Sequence, residues 1–402
     1  MGIFLIVPIG RRIQRFVYDN WGREVFLYFV LASLAIGGIG LLYLFIFKLK
    51  IRSPSNYIWL IICGGLYSYF TLSLRNIPEE AVHLLEYGLL SFFIFRALLH
   101  RVRDKSIYLT TSLLALLIGT FDEILQWITP ERYWDFRDAG LNGLSAGLLQ
   151  IVLWKVIKPK EISGKINPSS IRIISSALAS CILVLGLCAS NTPRRVAHYT
   201  KILPWLSFLQ KEEPMSEFGY KYKDQDIGTF FSRLSLNVLR QNDEKNAPRY
   251  AKVINESLNI PYEQFLRDYN PINDPFLYEI RIHVFRRNTY FEKAKLANNP
   301  NDKIESYFIA YKENLILEKY FGHTIEKSIY SWAKEKIDKT DLLTEKKDKS
   351  YESPVSAGLF TAFSEKTMWI YILITLMILG LVNYYIRCKE DRKVTFIGLC
   401  TK

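Results

Sequence analysis

The chain has 402 residues, half of them hydrophobic, and a formal net charge of +13. That charge is uneven: residues 191–366 hold 28 Lys and Arg against 25 Asp and Glu, whereas the remainder hold 24 against 14. A basic excess confined to short loops beside apolar runs is the positive-inside pattern of membrane proteins, and without any aromatic–basic motif it excludes a nucleic-acid footprint.

In chain order, residues 1–23 open with an apolar run too short to span, MGIFLIVPIG, followed by Arg11, Arg12, Arg15 and Arg23. The order is the reverse of a signal peptide, so the segment reads as interfacial, with Phe16, Tyr18 and Trp21 at headgroup depth. Seven runs are then long or apolar enough to be read as spanning helices: 25–47, 57–74, 81–99, 106–128, 139–157, 173–190 and 367–386. The loops at 48–52, 100–105 and 155–172 and the tail after 386 are basic, which places them in the cytoplasm. Loops 75–80 and 129–138 and the whole of 191–366 then lie outside, and the arginine-rich N-terminus falls outside with them against the charge rule. The five cysteines, Cys63, Cys181, Cys188, Cys388 and Cys400, all lie outside 191–366, so that region has neither a disulfide framework nor a thiolate metal site.

Residues 191–366 read as a helical soluble domain. The stretch 226–241 is amphipathic through Phe230, Phe231, Leu234, Leu236, Val238 and Leu239. Asn273-Asp274-Pro275 starts a helix that runs to about 297. Asn301-Asp302 caps another, Gly322 ends it, and a further helix reaches about 337. Glu279, His283 and Arg286 or Arg287 share a helical face and read as a solvated i, i+4 charge pair. Residues 339–353 are a charged linker. The fold class that follows is all-α: a polytopic membrane bundle of about seven spans, with an α-helical soluble domain inserted between the last two. Its parts are an N-terminal segment and first span (1–56), a core (57–157), a basic loop and sixth span (158–190), the extracytoplasmic domain (191–366), and a final span with a cytoplasmic tail (367–402).

Chemistry concentrates in one stretch, Asp122 to Gly147, DEILQWITPERYWDFRDAGLNGLSAG. Asp122, Glu123, Glu131, Arg132, Asp135, Arg137 and Asp138 lie between and inside the ends of two spans. Ionisable groups at such positions are costly, and a functional site is the default reading, with interfacial anchoring as the alternative. The ordered set Asp122, Glu123, Gln126, Pro130, Arg132, Asp138, Asn142 and Gly147, with His83 and Tyr87 on the preceding helix, resembles the VanZ-like membrane proteins over about 57–157. Both Asp135 and Asp138 satisfy the aspartate that follows Pro-x-Arg in that family. The resemblance implies a four-helix membrane core and an association with resistance to the glycopeptide teicoplanin; it implies no reaction.

The topology brings His83, Glu86, Tyr87, Asp122, Glu123, Gln126, Arg132, Asp135, Asp138 and Asn142 to one membrane face as a candidate ligand site, on the side that carries the soluble domain. On span three, Glu79, His83 and Glu86 share a face by i, i+4, i+7 spacing. These groups suit ligand binding, general acid–base work, ligation of a divalent metal by the His and carboxylates, or a closed polar network neutralised by Arg132 or Arg137. No phosphate loop, nucleophile elbow, zincin motif, paired Glu-x-x-His or haem motif is present, so no cofactor and no metal is assigned. The expected protein sits in the inner (cytoplasmic) membrane. Its partners are the lipid bilayer and a lipid-linked cell-wall precursor, with no nucleic acid, and it either recognises that component at the outer face or modifies it as a membrane enzyme.

Overall fold

The structure, a computed structural model, describes residues 13–48, 50–51, 53–130, 132–343 and 350–400, with the backbone alone from 391 onward. The expected interfacial run 1–10, Arg11, Arg12, Arg52, Glu131 and residues 344–349 of the charged linker lie outside the described residues. Two compact units result: residues 1–188 with 369–402, and residues 189–368.

The first unit opens with a short helix α1 (13–21) and continues through α2 (Glu24–Tyr43), α3 (Pro54–Ser73), α4 (Pro78–Leu98), α5 (Ser106–Trp127), α6 (Phe136–Ile151) and α7 (Pro168–Ala189). Helices α2 and α6 each end in a π-helical stretch, Leu44–Lys48 and Val152–Ile157. The second unit contains α8 (Pro193–Ile202), an antiparallel hairpin of β1 (Tyr220–Asp224) and β2 (Gly228–Ser232), α9 (Leu236–Glu256), α10 (Tyr262–Asp268), α11 (Pro275–Leu296), α12 (Pro300–Tyr320), α13 (Gly322–Glu326) and α14 (Lys334–Leu342). The chain closes with α15 (Glu365–Cys400). This is an all-α polytopic helix bundle with, among the described residues, one two-stranded exception.

Among the described residues, six helices are long and apolar enough to cross a membrane: Glu24–Lys48, Pro78–Leu98, Ser106–Trp127, Phe136–Ile157, Pro168–Ala189 and Glu365–Glu390. The expected count of about seven therefore loses α3 on composition, because Asn56, Tyr67, Ser68 and Thr71 interrupt its apolar run. Geometry explains two of those polar residues, Asn56 and Tyr67. Asn56 donates to Val156 O (2.6 Å) and accepts from Lys158 Nζ (2.8 Å), and Tyr67 donates to Ser145 O (2.6 Å). Helix α3 thus lies antiparallel along α6 with these two polar groups turned into the bundle. At 20 residues it is about 30 Å long, the thickness of a bilayer core.

The two ends of this unit are tied differently. At the end where α4 begins, Gln14 donates to Glu79 (2.9 Å) and Arg23 pairs with Glu79 (3.3 Å), so an N-terminal arginine sits beside an acid. At the opposite end, Asp104 is fully buried and accepts from Ser106 N (2.9 Å), Asn167 N (3.0 Å) and Ser170 Oγ (2.6 Å). Burial pushes its carboxyl up, but these donors outweigh burial and hold it below the ordinary carboxylate value.

In the second unit, α11 lies along α12, and Phe230, Leu239, Ile254, Phe276, Ile280 and Ile316 form part of its core. The start of α11 falls where the sequence places it, with Asp274 capping Leu277 N (3.1 Å) and Pro275 in the first turn. Three expectations shift. Residues 228–232 are strand, not amphipathic helix, because Gly228 adopts φ +108° against the Tyr351 carbonyl, where a Cβ would stand 2.2 Å away. The cap of α12 is Asn299, two residues early, with Pro300 taking the first turn. Gly322 begins α13, and the next helix, α14, starts at Lys334.

Residues 350–360 strap this unit. Thr229 N donates to Tyr351 O (2.8 Å), Ser353 N to Thr229 O (2.9 Å), and Phe360 N to Glu217 O (2.9 Å). Tyr351 and Ser353 hydroxyls donate to the buried Glu313 at 2.5 and 2.9 Å. A fragment of residues 189–368 should therefore give a helix-dominated circular-dichroism spectrum. A fragment cut at 350 should melt at lower temperature, since each hydrogen bond to a buried charge contributes about 1.5–3 kcal/mol; equal melting would show the strap to be dispensable.

Candidate functional site

Helix α4 begins with Pro78 at N1 and two acids, Glu79 and Glu80, in its first turn, where carboxylates stabilise the positive helix end. Its buried face runs through Glu80, Leu84, Tyr87, Ser91 and Phe95. That is the expected 3.6-residue period started one residue later than Glu79, and it brings Glu80 inward. Arg137 on α6 meets Glu80 at 2.6 Å and also approaches Asp138 (3.4 Å) and Asp135 (3.6 Å). Glu80 is the site residue that the Glu79–His83–Glu86 reading missed; the same helical arithmetic from position 80 finds it.

Asp135 and Asp138 have different tasks. Asp135 caps α6, accepting from Arg137 N at 2.7 Å. Asp138 sits in the first turn, 16% exposed, within electrostatic reach of Glu123 and His83. Asp138 is accordingly the aspartate that joins the cluster, and Asp135 positions the helix that carries it.

On α5, Asp122, Glu123 and Gln126 are all buried. The Gln126 amide donates to both acids, to Asp122 Oδ2 at 3.1 Å and to Glu123 Oε1 at 3.3 Å. Arg132 reaches back from the loop and donates to Gln126 Oε1. The glutamine therefore links the guanidinium to the two carboxylates, and Arg132 also acts electrostatically on Glu123.

His83 and Glu86 form the open edge. Their side chains are 27% and 35% exposed, and His83 Nδ1 lies 3.4 Å from Glu86 Oε2 without hydrogen-bond alignment. His83 is within electrostatic reach of Asp122 and Glu123. Behind it, Tyr87 faces Asp122 with its hydroxyl out of hydrogen-bonding geometry. Asn142 on α6 completes the floor. Gly119 makes this convergence possible: a Cβ there would stand 2.9 Å from Asn142 Cβ and 3.1 Å from Tyr87 Cε1. Asp122 Oδ1 and both amide atoms of Asn142 are buried without a hydrogen-bond partner among the described residues. Buried polar atoms are nearly always satisfied, so such a group calls for a donor and an acceptor from elsewhere. Among the described residues, no three His, Cys, Asp or Glu side chains are arranged to hold a metal ion.

No family model matches this chain, and neither a curated protein nor a solved structure matches it.

The second constellation corrects the solvated-pair reading of α11. Glu279 and His283 are fully buried, and Arg287 is 1% exposed. They pair between elements, not along the helix. His283 Nδ1 meets Glu313 Oε2 of α12 at 2.6 Å, and Arg286 Nε donates to Glu313 Oε1 at 2.9 Å. Glu279 accepts from Ser232 Oγ (2.6 Å) and Arg233 N (2.7 Å), and Arg233 forks onto Glu217. Arg287 donates to Asn314 (2.9 Å) and Tyr330 O (2.7 Å) and lies over Trp332. These charges hold helices and strap together, while His283 Nε2 is buried without a hydrogen-bond partner among the described residues. Burial would push Glu313 up, but His283, Tyr351 and Ser353 outweigh it and hold the carboxyl below its ordinary 4.5.

A carboxyl depressed in the folded state stabilises above its unfolded pKa and loses that contribution as pH falls through the folded value. Unfolding free energy should therefore decline as pH drops below about 4.5. Glu313→Ala, which strands His283 and Arg286, should cost about 3–5 kcal/mol at neutral pH and flatten that acid slope. Denaturant melts at pH 7 and pH 3.5 check both outcomes.

Proposed function

We propose that this is a multi-pass membrane protein of the cell envelope, VanZ-like in its 57–157 core. Its α4–α6 cluster, in this reading, binds the polar end of a lipid-linked or cell-wall component at the outer membrane face. The observation that carries the reading is the set of buried polar atoms without a partner among the described residues, the acceptors Asp122 Oδ1 and Asn142 Oδ1 and the donor Asn142 Nδ2, behind a partly exposed His83–Glu86 edge. Glu80, Glu86, Asp122, Glu123 and Asp138 outnumber Arg132 and Arg137 in the cluster. A surplus of carboxylate favours hydroxyl and ammonium donors over phosphate, which points to the sugar–peptide part of a cell-wall precursor rather than its diphosphate.

Sidedness rests on the basic loops. Those at 48–52, 100–105 and 155–172 belong in the cytoplasm, which puts the start of α4 and residues 191–366 outside, provided α3 crosses. The length of α3 and its antiparallel course along α6 support that crossing. The arginines near the N-terminus then lie outside, where Glu79 offsets Arg23.

A catalytic reading of the same cluster draws on the His83–Glu86 contact beside Asp122 and Glu123, groups that can move a proton. It requires that a labelled polyprenyl-linked disaccharide-peptide be turned over.

The binding experiment uses the purified protein in nanodiscs with that same lipid as probe. Asp122→Asn and Glu123→Gln should each weaken binding about tenfold or more, equivalent to about 1.4 kcal/mol, while membrane insertion is kept. Arg101→Ala should change nothing. Cells carrying Glu123→Gln should lose whatever tolerance to teicoplanin the wild-type chain confers. Full binding by both acid variants removes the ligand-site reading, and product formation by the wild type replaces it with the enzymatic one. Reporter fusions at Lys160 and Lys221 should report opposite membrane sides; the same side for both contradicts the topology.

A further inference from the structure

Helices α7 and α15 touch at two places and part between them. Near one end, Ile372 packs so tightly on Gly186 that a Cβ there would meet it at 2.5 Å, with Trp369 alongside. Near the other, Glu390 accepts from Ser169 Oγ (2.7 Å) and pairs with Arg172 (3.1 Å). Gly186 and Arg172 are 14 residues apart, roughly 21 Å along a helix. Between them opens a groove of about 780 Å³, backed by Leu114 and Leu117 of α5.

The groove is chemically graded. Its interior presents Leu114, Leu117 and Ala177, with the small Ser176 and Ser180 leaving room. Its other end carries Arg172 and Arg387. Glu390 offsets the first, whereas Arg387 is exposed and has no ion pair among the described residues. One turn inward from Arg387, Asn383 holds an amide whose Oδ1 is buried and has no partner among the described residues. Turned over, that amide donates a hydrogen bond.

We propose that this groove is a binding site for a single phospholipid with an anionic headgroup. The phosphate lies at Arg387 and Arg172, an ester carbonyl accepts from Asn383, and one acyl chain follows Leu114 and Leu117 inward. Charge complementarity selects this occupant. A neutral lipid would satisfy the apolar interior but leave Arg387 unanswered, and basic pockets between membrane helices are a recurrent means of holding acidic lipids. The site shares no residue with the α4–α6 cluster and stands whatever that cluster binds.

Native mass spectrometry of the full chain in detergent, titrated with phosphatidylglycerol and with phosphatidylcholine of identical acyl chains, tests it. The wild type should retain one phosphatidylglycerol in preference to phosphatidylcholine. Arg387→Gln should cut that preference about fivefold, the worth of one basic residue near an anionic lipid. Ser180→Leu, which fills the interior, should lower retention of both lipids, and Arg101→Gln should change neither. Glycerol phosphate should not compete. No preference in the wild type, a preference untouched by both groove variants, or displacement by glycerol phosphate alone would each overturn the proposal.

Discussion

The membrane unit depends on how closely α4, α5 and α6 approach one another. Lipid offers no hydrophobic drive for helices to associate, so close packing of small residues must supply it. Gly88 receives the Tyr67 hydroxyl and Ser145, Gly119 receives Asn142 and Tyr87, and Gly143 receives Leu116. Only because these positions lack a side chain can polar groups from three helices meet at the level of Asp122 and Glu123. The ion pair between Glu80 and Arg137 then fixes the ends of α4 and α6 across the same gap.

The two buried polar assemblies of this chain answer burial in opposite ways. Around Glu313 and Glu279, each carboxylate is surrounded by donors from at least two elements, and the atom left over is a nitrogen, His283 Nε2, buried without a partner among the described residues. Around Asp122 and Asn142, acceptors and an amide donor are buried without partners among the described residues, beside an edge open at His83 and Glu86. Both contain a histidine, several acids and arginines, so composition does not separate them. The carboxylates do: Glu313 and Glu279 each accept several hydrogen bonds, whereas Asp122 Oδ1 accepts none among the described residues.

How far the sequence reveals this follows from the range of each interaction. Apolar run lengths identify most of the spanning helices, and Asp274-Pro275 marks the start of α11, because both signals are local. Helix α3 is ambiguous by composition since two of its polar residues are answered by α6, about a hundred residues away for Asn56. The misreading of α11 has the same origin: Glu279 to His283 is an i, i+4 pair in sequence, but the partners that count lie on β2, α12 and the strap. Likewise 228–232 folds as strand because Tyr351, far along the chain, presses on Gly228. In the α4–α6 region the residue types were legible, while the division of labour between Asp135 and Asp138 and the link through Gln126 required coordinates.

The clasp at Asp104 bears on how the chain is assembled. Two of its donors, Asn167 N and Ser170 Oγ, emerge from the ribosome more than sixty residues after the carboxylate they satisfy. Until α7 enters the membrane, the loop joining α4 to α5 carries a charge with an incomplete set of donors and remains wet. Docking of α7 then supplies Asn167 N and Ser170 Oγ and completes that set of donors. The order of biogenesis is in this way written into one buried carboxylate: a chain stalled before Asn167 would hold its early helices in the bilayer but leave their loops unlocked.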